Sequence, residues 1–385
     1  MRRSIVVGAG LSGVVIARKL AESGENVLLI DRRKTVGGNV YDKTDKNGIR
    51  IQYYGPHIFH TNYKEVFEFL SKYTEWQEYE HKVLALIKHG KKRQLVPVPF
   101  NLTSLFKLYN LDDANEIKDV LIKEIGYGKK VPILTLKQHE SDKVRAFADF
   151  VYKNVFYYYT QKQWGFKPEE LGETVMNRVP VYLSEEDGYF TDEYQYQPKN
   201  GFAEMVKNIL NHPNIHVQLG IDANKIIALK DGEIYYKGKP FDGNLIYTGC
   251  IDELFDYKYG TLPYRSLRFK FKNVKKTSYQ PSAVVNYTTS KKFTRISEFT
   301  KFSCAPVKGK TVIVKEFPVP YVKGKNIPYY PIPKTEYLSQ HQEYVNEAKN
   351  YKNLYLLGRL AEYKYVNMDV AVKNALDLYE KICEE

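Results

Sequence analysis

The segment "SIVVGAGLSGVVIARKLAESGENVLLIDRR" (residues 4–33) constrains the fold of this chain more than any other. Its pattern predicts a buried strand, a glycine turn, an amphipathic helix and a second strand that ends at Asp31. Gly8 makes the turn, Gly10 lets the backbone approach a pyrophosphate, and Gly13 lets the helix pack on the strand. The helix N-terminus would bind the phosphates, and Asp31 would bind a ribose hydroxyl. The segment therefore predicts a Rossmann-like dinucleotide-binding unit.

A second glycine turn distinguishes two kinds of dinucleotide. Gly37, Gly38 and Asn39 in "RRKTVGGNVY" directly follow the second predicted strand. A glycine turn at that point lets a longer cofactor lie along the sheet, which is an arrangement of the FAD type. The alternative is an ordinary β-turn. The stretch therefore favours FAD over NAD.

The rest of the chain, which has 385 residues and is long for one domain, changes pattern twice. Helical spacing dominates from Asn101 to about Arg178, and short alternating runs of antiparallel type dominate from Val179 to about Pro333. A late strand, "NLYLLGRL", and a terminal helix, "NMDVAVKNALDLYEKICEE", are expected to complete the first domain. Local predictions are helices over Lys64–Trp76, Asp113–Glu124 and Asp142–Tyr159, a hairpin of Lys82–Ile87 with Gln94–Val98, and a hairpin about Asp231-Gly232.

We therefore expect an α/β protein with a discontinuous Rossmann-like FAD-binding domain, an inserted helical bundle domain and an antiparallel β-sheet domain that binds substrate. The predicted boundaries are 1–75, 196–255 and 340–385 for the FAD-binding domain, 100–178 for the helical domain, and 76–99, 179–195 and 256–339 for the sheet domain.

Charge and cysteine content restrict the partners and the compartment. The formal net charge of +13 favours anionic partners, but no recognition motif accompanies the basic runs "KHGKKR" and "KNVKK", so nucleic acid is not expected. The three cysteines have neither metal-ligand spacing nor a paired framework, which fits a reducing cytoplasm. Arg18-Lys19 close the first apolar run too early for a membrane span, so no membrane insertion is expected.

Two histidines, His57 and His60, stand in "GPHIFH". They could be metal ligands, a proton-transfer pair or rings that pack against something flat. A metal site is not expected, because no carboxylate or third histidine stands nearby at ligand spacing.

Several motifs, in order along nearly the whole chain, resemble the bacterial UDP-galactopyranose mutase family. They are the Gly8/Gly10/Gly13 loop, "VGGNVYD", "YGPHIFHTN", "YTQKQWG", "RVPV", "DGYF", "FTRISE", "KEF", "IPYYPI" and "GRLAEYKYVNMD". The last two motifs are specific, whereas a generic flavoprotein would share only the first.

The resemblance implies an isomerase that converts a nucleotide-linked hexopyranose into its furanose without net redox change. In that family N5 of reduced FAD attacks the anomeric carbon and forms a covalent flavin–sugar adduct. UDP-galactopyranose is the leading substrate, furanose-containing surface glycans are the expected destination, and NAD(P)H is the expected reductant. The bacterial relatives also suggest a homodimer.

The resemblance also assigns site residues. The catalytic positions are His60, Arg295, Tyr330 and Tyr365. The cofactor-binding positions are Gly8, Gly10, Ser12, Gly13, Asp31, Arg32, Gly38, Asn39, His57, Ile58, Arg359, Val366, Asn367, Met368, Asp369 and Val370. The substrate-binding positions are Tyr159, Trp164, Arg178, Tyr182, Tyr189, Asn286, Arg295, Tyr330 and Tyr365. Without the family, Arg295 reads as a strand-surface charge and the tyrosines as core residues.

Three positions depart from the family pattern. Tyr182 stands where the family has a second phosphate-binding arginine, Asn367 replaces an acidic residue, and His81 replaces an asparagine that contacts the nucleotide. Losing the arginine removes a contact of about 1.5–3 kcal/mol unless another cation moves in. The substrate could therefore be dTDP-fucopyranose or UDP-N-acetylgalactosamine instead.

Two other classes of protein share part of these features. A flavin oxidoreductase of the amine-oxidase or desaturase type would have the first glycine motif but would not need "IPYYPI". An inactive sugar-nucleotide-binding paralogue would explain Tyr182 and Asn367. A mutase differs from both in being active only when its flavin is reduced, with no consumption of oxidant.

Overall fold

A five-stranded parallel sheet carries the glycine loop. The structure is a computed structural model, and it describes residues 3–171, 180–289, 291–302 and 307–384. The strands, in spatial order, are β12 (Ile215–Leu219), β2 (Asn26–Asp31), β1 (Arg3–Val7), β16 (Asn244–Tyr247) and β22 (Leu354–Leu356). The helices packed on one face of it are α1 (Leu11–Glu22), α8 (Phe202–Leu210) and α11 (Met368–Glu384). Strand β22 and helix α11 come from the end of the chain, so the predicted return to the first domain is confirmed.

The core between this sheet and its helices is built from continuous apolar runs. Val14, Val15 and Leu20 of α1 are fully buried against α11 and the strands. Each such side chain contributes about 1.5–3 kcal/mol to the free energy of folding by leaving water. Burial on both sides explains why β1 and β2 have no polar alternation.

A seven-stranded sheet forms the second layer. In spatial order it contains β21 (Tyr330–Pro331), β17 (Tyr264–Val274), β20 (Thr311–Pro320), β19 (Arg295–Glu298), β18 (Val284–Tyr287), β7 (Val83–His89) and β8 (Lys92–Val98). Its pairings are antiparallel except that β18 runs parallel to β7. The predicted antiparallel sheet is therefore wrong for one pair, because the β7–β8 hairpin joins the sheet from an earlier part of the chain.

The helical region covers the inner face of the seven-stranded sheet through a shared apolar core. The remaining helices of the described residues are α2 (Lys64–Ser71), α3 (Leu102–Leu108), α4 (Leu111–Glu124), α5 (Ile133–Leu136), α6 (Asp142–Val151), α7 (Tyr158–Trp164), α9 (Ile251–Leu254) and α10 (Thr335–Ala348). A π-helical segment, Tyr152–Tyr157, joins α6 to α7. Side chains of Asn101, Asn110 and Ser141 accept hydrogen bonds from the first turns of α3, α4 and α6.

Smaller sheets connect these layers. They are β5 (Phe59–Thr61), β11 (Tyr194–Pro198) and β6 (Trp76–Glu78); β3 (Asp42–Thr44) and β4 (Arg50–Gln52); β9 (Lys130–Val131) and β10 (Val181–Tyr182); and β13 (Ile227–Lys230), β14 (Glu233–Tyr236) and β15 (Lys239–Pro240). The hairpin predicted about Asp231-Gly232 is confirmed by β13 and β14. The helix predicted over Lys64–Trp76 ends at Ser71, because Trp76–Glu78 pairs with β11 instead.

Every helix in the described part of the chain is too short or too polar to cross a bilayer.

Candidate active site

Steric crowding explains some of the glycines in the two glycine turns. A Cβ on Gly13 would lie 1.9 Å from the carbonyl oxygen of Gly8, and a Cβ on Gly38 would lie 2.8 Å from the Cα of Gly10. Gly10 itself has open space at the Cβ position. Gly13 and Gly38 are therefore required by packing within the protein, whereas the open space at Gly10 lets a ligand approach the backbone.

Asp31 holds the loop in place. Its Oδ2 accepts a hydrogen bond from the Ala9 N–H over 2.7 Å, and its Oδ1 accepts one from the Arg33 N–H over 2.7 Å. The Gly37 N–H donates to the Ala9 carbonyl over 2.8 Å and so connects the two glycine turns. Each carboxylate oxygen has a second lone pair, so the ribose contact of Asp31 stays a prediction.

The main cleft opens at the carboxyl ends of β1, β2 and β16. Most of the predicted cofactor residues line it, namely Gly8, Gly10, Ser12, Gly13, Asp31, Arg32, Gly38, Asn39, His57, Arg359, Val366, Asn367 and Met368. Thr248–Cys250 and Asn326–Tyr329 also line it and were not predicted. The first of these two segments directly follows β16, and the rule that ligands bind at the carboxyl ends of parallel strands could have identified it.

Three predicted cofactor residues do not line the main cleft. Ile58 packs against the core under the seven-stranded sheet, and Val370 lies one turn inside α11. Asp369 is buried in the first turn of that helix, where burial raises the pKa of its carboxyl. Its Oδ1 has no hydrogen-bond partner among the described residues.

His57 is held as a neutral ring in the main cleft. Its Nδ1 donates to the Gly55 carbonyl over 2.8 Å, and Gln52 and Gln197 donate to its own carbonyl, each over 3.0 Å. Burial, followed by the charges of Arg359 and Arg295, lowers the pKa of His57 to about 4.

His60 faces a different environment. Its Nδ1 lies 3.0 Å from Oδ2 of Asp192, and its ring stacks on Phe190 with centroids 3.6 Å apart. It does not line the main cleft. The two histidines thus stand in separate environments, His57 bonded to the Gly55 carbonyl and His60 to Asp192, and no hydrogen bond joins their rings.

A buried ion pair stands on the seven-stranded sheet. Arg295 on β19 faces Glu316 on β20 in register, with Nε 3.0 Å from Oε2 and Nη2 3.0 Å from Oε1. Glu316 is only 2% exposed. Burial alone would lower the pKa of Arg295, but the charge of Glu316 outweighs burial and raises it well above its usual range. Arg295 therefore remains a cation in the site.

Arg265 on β17 is a second buried cation, and sequence reasoning missed it. It is 4% exposed, and its Nη1 donates to the Gln163 carbonyl over 2.8 Å. Its guanidinium lies 4.4 Å from the ring of Trp164 and 4.3 Å from the ring of Tyr330. Burial lowers its pKa to about 10. No sequence motif marks it, because its neighbours are Tyr264 and Ser266 and only the pairing of β17 with β20 and β21 buries it.

Stacked tyrosines connect Arg265 with Arg359, which lines the main cleft. The rings of Tyr330 and Tyr365 stack 5.4 Å apart at 13°. The Arg359 guanidinium lies 4.8 Å from the first ring and 5.1 Å from the second, while its Nη2 donates to the Val366 carbonyl over 2.6 Å. Tyr330 is thus placed between Arg265 and Arg359, and the predicted substrate and cofactor residues meet at this point.

Tyr159 and Asn286 are further neighbours of Arg295. The Tyr159 hydroxyl donates to Oδ1 of Asn286 over 3.5 Å, and the β18–β19 register sets Asn286 opposite Arg295. Burial raises the pKa of the Tyr159 hydroxyl to about 12, so it remains a donor at neutral pH. We name the set Arg265, Arg295, Glu316, Tyr159, Trp164, Tyr330 and Tyr365 the cation cluster.

The remaining predicted substrate residues lie around or outside this cluster. Tyr189 and His81 are neighbours, with ring centroids 5.6 Å apart and the Tyr189 N–H donating to the His81 carbonyl over 2.8 Å. Tyr182 lines a separate hollow that includes Glu80 and Glu185. Arg178 lies outside the described residues.

Family comparisons agree with this geometry. A family model described as UDP-galactopyranose mutase matches residues 154–365, and one described as NAD(P)-binding Rossmann-like domain matches residues 6–73.

Similar proteins are matched over almost their whole length. The dTDP-fucopyranose mutase of Escherichia coli is 34% identical over 381 residues, which cover 98% of this chain and 97% of that protein. The UDP-galactopyranose mutase of Mycoplasma genitalium is 34% identical over 374 residues, which cover 96% of this chain and 91% of that protein. A solved structure of reduced UDP-galactopyranose mutase matches with a TM-score of 0.73 at 16% identity, covering 100% of this chain and 94% of that one.

Proposed function

We propose a specific reaction for a chain that belongs to the UDP-galactopyranose mutase family and is therefore an isomerase of the flavin-dependent mutase type. The reaction is the interconversion of the pyranose and furanose forms of a nucleotide-linked hexose without net redox change. UDP-galactopyranose is the leading substrate.

The cation cluster is the observation that carries this proposal. Two guanidinium groups stand here, the buried Arg265 and the partly buried Arg295, and the one buried carboxylate beside them, Glu316, is paired with Arg295. Burying a cation without a counter-charge costs free energy, so an anionic ligand would stabilise Arg265. A nucleoside diphosphate supplies that anion, and the aromatic faces of Trp164 and Tyr330 suit a base or a sugar.

FAD is the cofactor that the family implies, and the residues of the main cleft fit it. The N-terminus of α1 offers backbone N–H groups without an acidic residue in the first turn, and Gly10 leaves open space above it. Gly8 to Gly13 would bind the pyrophosphate, and His57, Arg359 and the start of α11 would bind the flavin end. When bound and reduced, FAD supplies the nucleophile for the anomeric carbon.

The residues of the chain have separate tasks in this proposal. Arg265 and Arg295 would stabilise the diphosphate as it leaves the anomeric carbon and hold it for return. The hydroxyls of Tyr330 and Tyr365 would donate to the same phosphates. Tyr159 and Asn286 would contact the nucleotide. His57, which is neutral above about pH 4, would face the flavin without adding a charge to it.

The finer features of the proposal rest on the resemblance. They are attack by flavin N5, reduction by NAD(P)H, a homodimer, a cytoplasmic location and supply of furanose donors for surface glycans. The name of the Escherichia coli relative makes dTDP-fucopyranose a second candidate substrate, and UDP-N-acetylgalactosamine is a third.

A substrate panel tests the proposal. The purified protein is reduced with dithionite, incubated with UDP-galactopyranose, dTDP-fucopyranose and UDP-N-acetylgalactosamine, and the products are separated by HPLC. We expect a furanose from at least one of them and none from the oxidised protein. A reduced, FAD-containing protein that yields no furanose from any of the three would refute the mutase proposal.

A further inference from the structure

A second cavity lies beside the cation cluster, and Trp164 and Arg265 of that cluster line it. It has a volume of about 740 Å³ and is bounded by α7, the residues before β17 and the end of β20. This volume is in the range of small-molecule sites. We call it the side cavity. Its walls are mainly apolar and aromatic, and Trp164, Tyr257, Val319 and Tyr321 are among the lining residues.

Two buried polar atoms at the side cavity lack hydrogen-bond partners among the described residues. They are Oδ1 of Asp252 and Nε of Arg265, and these residues are 3% and 4% exposed. Each group also has one engaged atom, because Oδ2 of Asp252 accepts from the Leu262 N–H over 2.9 Å and Nη1 of Arg265 donates to the Gln163 carbonyl over 2.8 Å. One atom is an acceptor and the other a donor. Buried groups of this kind usually have a partner, from the protein, water or a ligand.

We propose that the side cavity binds a planar aromatic ring that bears a primary amide, such as nicotinamide. The amide N–H would donate to Oδ1 of Asp252, and the amide oxygen would accept from Nε of Arg265. The ring would pack among the tyrosines and Trp164. A neutral amide can serve both groups at once, since it offers a donor to the carboxylate and an acceptor to the guanidinium without adding a charge between them.

An occupant of the side cavity would affect the proposed active site through Arg265. The same guanidinium that lines this cavity lies 4.3 Å from the Tyr330 ring in the cation cluster. A hydrogen bond to its Nε would hold the side chain in the observed position, where it supports the diphosphate. Binding should therefore be mutually favourable, since coupling between two sites is reciprocal.

Fluorescence of Trp164 tests the binding without any need for turnover. Trp76 is the other tryptophan, so Trp76→Phe leaves Trp164 as the sole reporter. In this background, with FAD bound and at pH 8, we expect nicotinamide to change the emission saturably. Asp252→Asn should weaken apparent binding at least fivefold, because asparagine replaces one of the two acceptor oxygens with an NH2 group, which cannot accept from the Leu262 N–H or from the ligand. Val319→Phe, which fills the cavity, should abolish saturation.

A matched control and a kinetic readout complete the experiment. Asp242→Asn neutralises a carboxylate whose side chain is 91% exposed, and it should titrate like the parent. In the parent, saturating nicotinamide should lower the KM for the sugar nucleotide about two- to fivefold. Linear collisional quenching, or equal titrations for the parent and both cavity variants, would overturn the proposal and leave water as the only occupant. A saturable titration in a protein that makes no furanose would refute the mutase proposal alone.

Discussion

At the residue scale, charge burial sets the chemistry of the site. Arg295 keeps its charge because Glu316 lies in register on the next strand, whereas the guanidinium of Arg265 contacts two aromatic rings and a backbone carbonyl and has no carboxylate partner among the described residues. Burial lowers the pKa of Arg265 to about 10, which leaves it charged at neutral pH. The two arginines therefore differ in how much they need an anionic substrate.

Replacing Arg295 with lysine tests the importance of the bidentate contact. Lysine keeps the charge but loses the planar pair of donors, so a charge-assisted contact of about 1.5–3 kcal/mol should weaken. We expect kcat/KM to fall about 10- to 100-fold with FAD content unchanged. Arg268→Lys is the control, because Arg268 is exposed on the outer face of β17. A variant within twofold of the parent would remove Arg295 from the substrate site.

The buried ring of His81 should make the stability of the protein depend on pH. Burial, followed by the charges of Arg295 and His60, lowers the pKa of His81 to about 3. In the unfolded chain the His81 imidazole has a pKa near 6.5 and takes up a proton that it does not bind in the folded state. The contribution of His81 to the free energy of unfolding is therefore fully present above pH 6.5 and is lost as the pH falls from there towards 3. His81 alone should contribute a slope of at most about 1.4 kcal/mol per pH unit.

The slope can be measured by urea unfolding of the protein between pH 7 and pH 5. His81→Gln should show a shallower loss of the free energy of unfolding than the parent over this interval. His216→Gln, at an exposed position of β12, is the matched control. Equal slopes for His81→Gln and the parent would mean that His81 takes up its proton in the folded state.

At the element scale, the first strand–turn–helix could be predicted from sequence because its requirements are local. Gly13 must be glycine to avoid Gly8, and this crowding depends on only six consecutive residues. Local patterns also identified α4, α11 and the β13–β14 hairpin. The end of α2 could not be predicted, because Trp76–Glu78 becomes a strand only when β11, far along the chain, pairs with it.

Alanine substitutions separate the two roles of the glycine loop. Gly13→Ala places a Cβ 1.9 Å from a backbone oxygen and should lower the stability of the protein even without FAD. Gly10→Ala meets no protein atom within 4 Å, so its thermal unfolding without FAD should match that of the parent while FAD binding is lost. Thermal melts with and without FAD measure both effects. A Gly10→Ala protein that retains FAD like the parent would exclude close approach of a ligand at this position.

At the scale of the whole molecule, the candidate site forms where two sheets and the helical region meet. Arg265, Arg295 and Tyr330 come from the seven-stranded sheet, Trp164 from α7, and Arg359 from the segment that follows β22. Resemblance to a family predicted most of these residues. Arg265 was missed because no motif marks it, and its position follows from the pairing of β17 with both β20 and β21. The contacts proposed for Tyr182 and Arg178 stay predictions, as do the domain boundaries.

The most direct test of the mutase proposal is the yield of furanose from a flavin that is reduced only once. The FAD-containing protein is reduced stoichiometrically with dithionite under argon, without NAD(P)H, and then mixed with a large excess of UDP-galactopyranose or of the panel substrate found active. We expect many equivalents of furanose per flavin while the flavin spectrum stays reduced. Product that stops at one equivalent per flavin, with the flavin becoming oxidised, would contradict it and indicate an oxidoreductase.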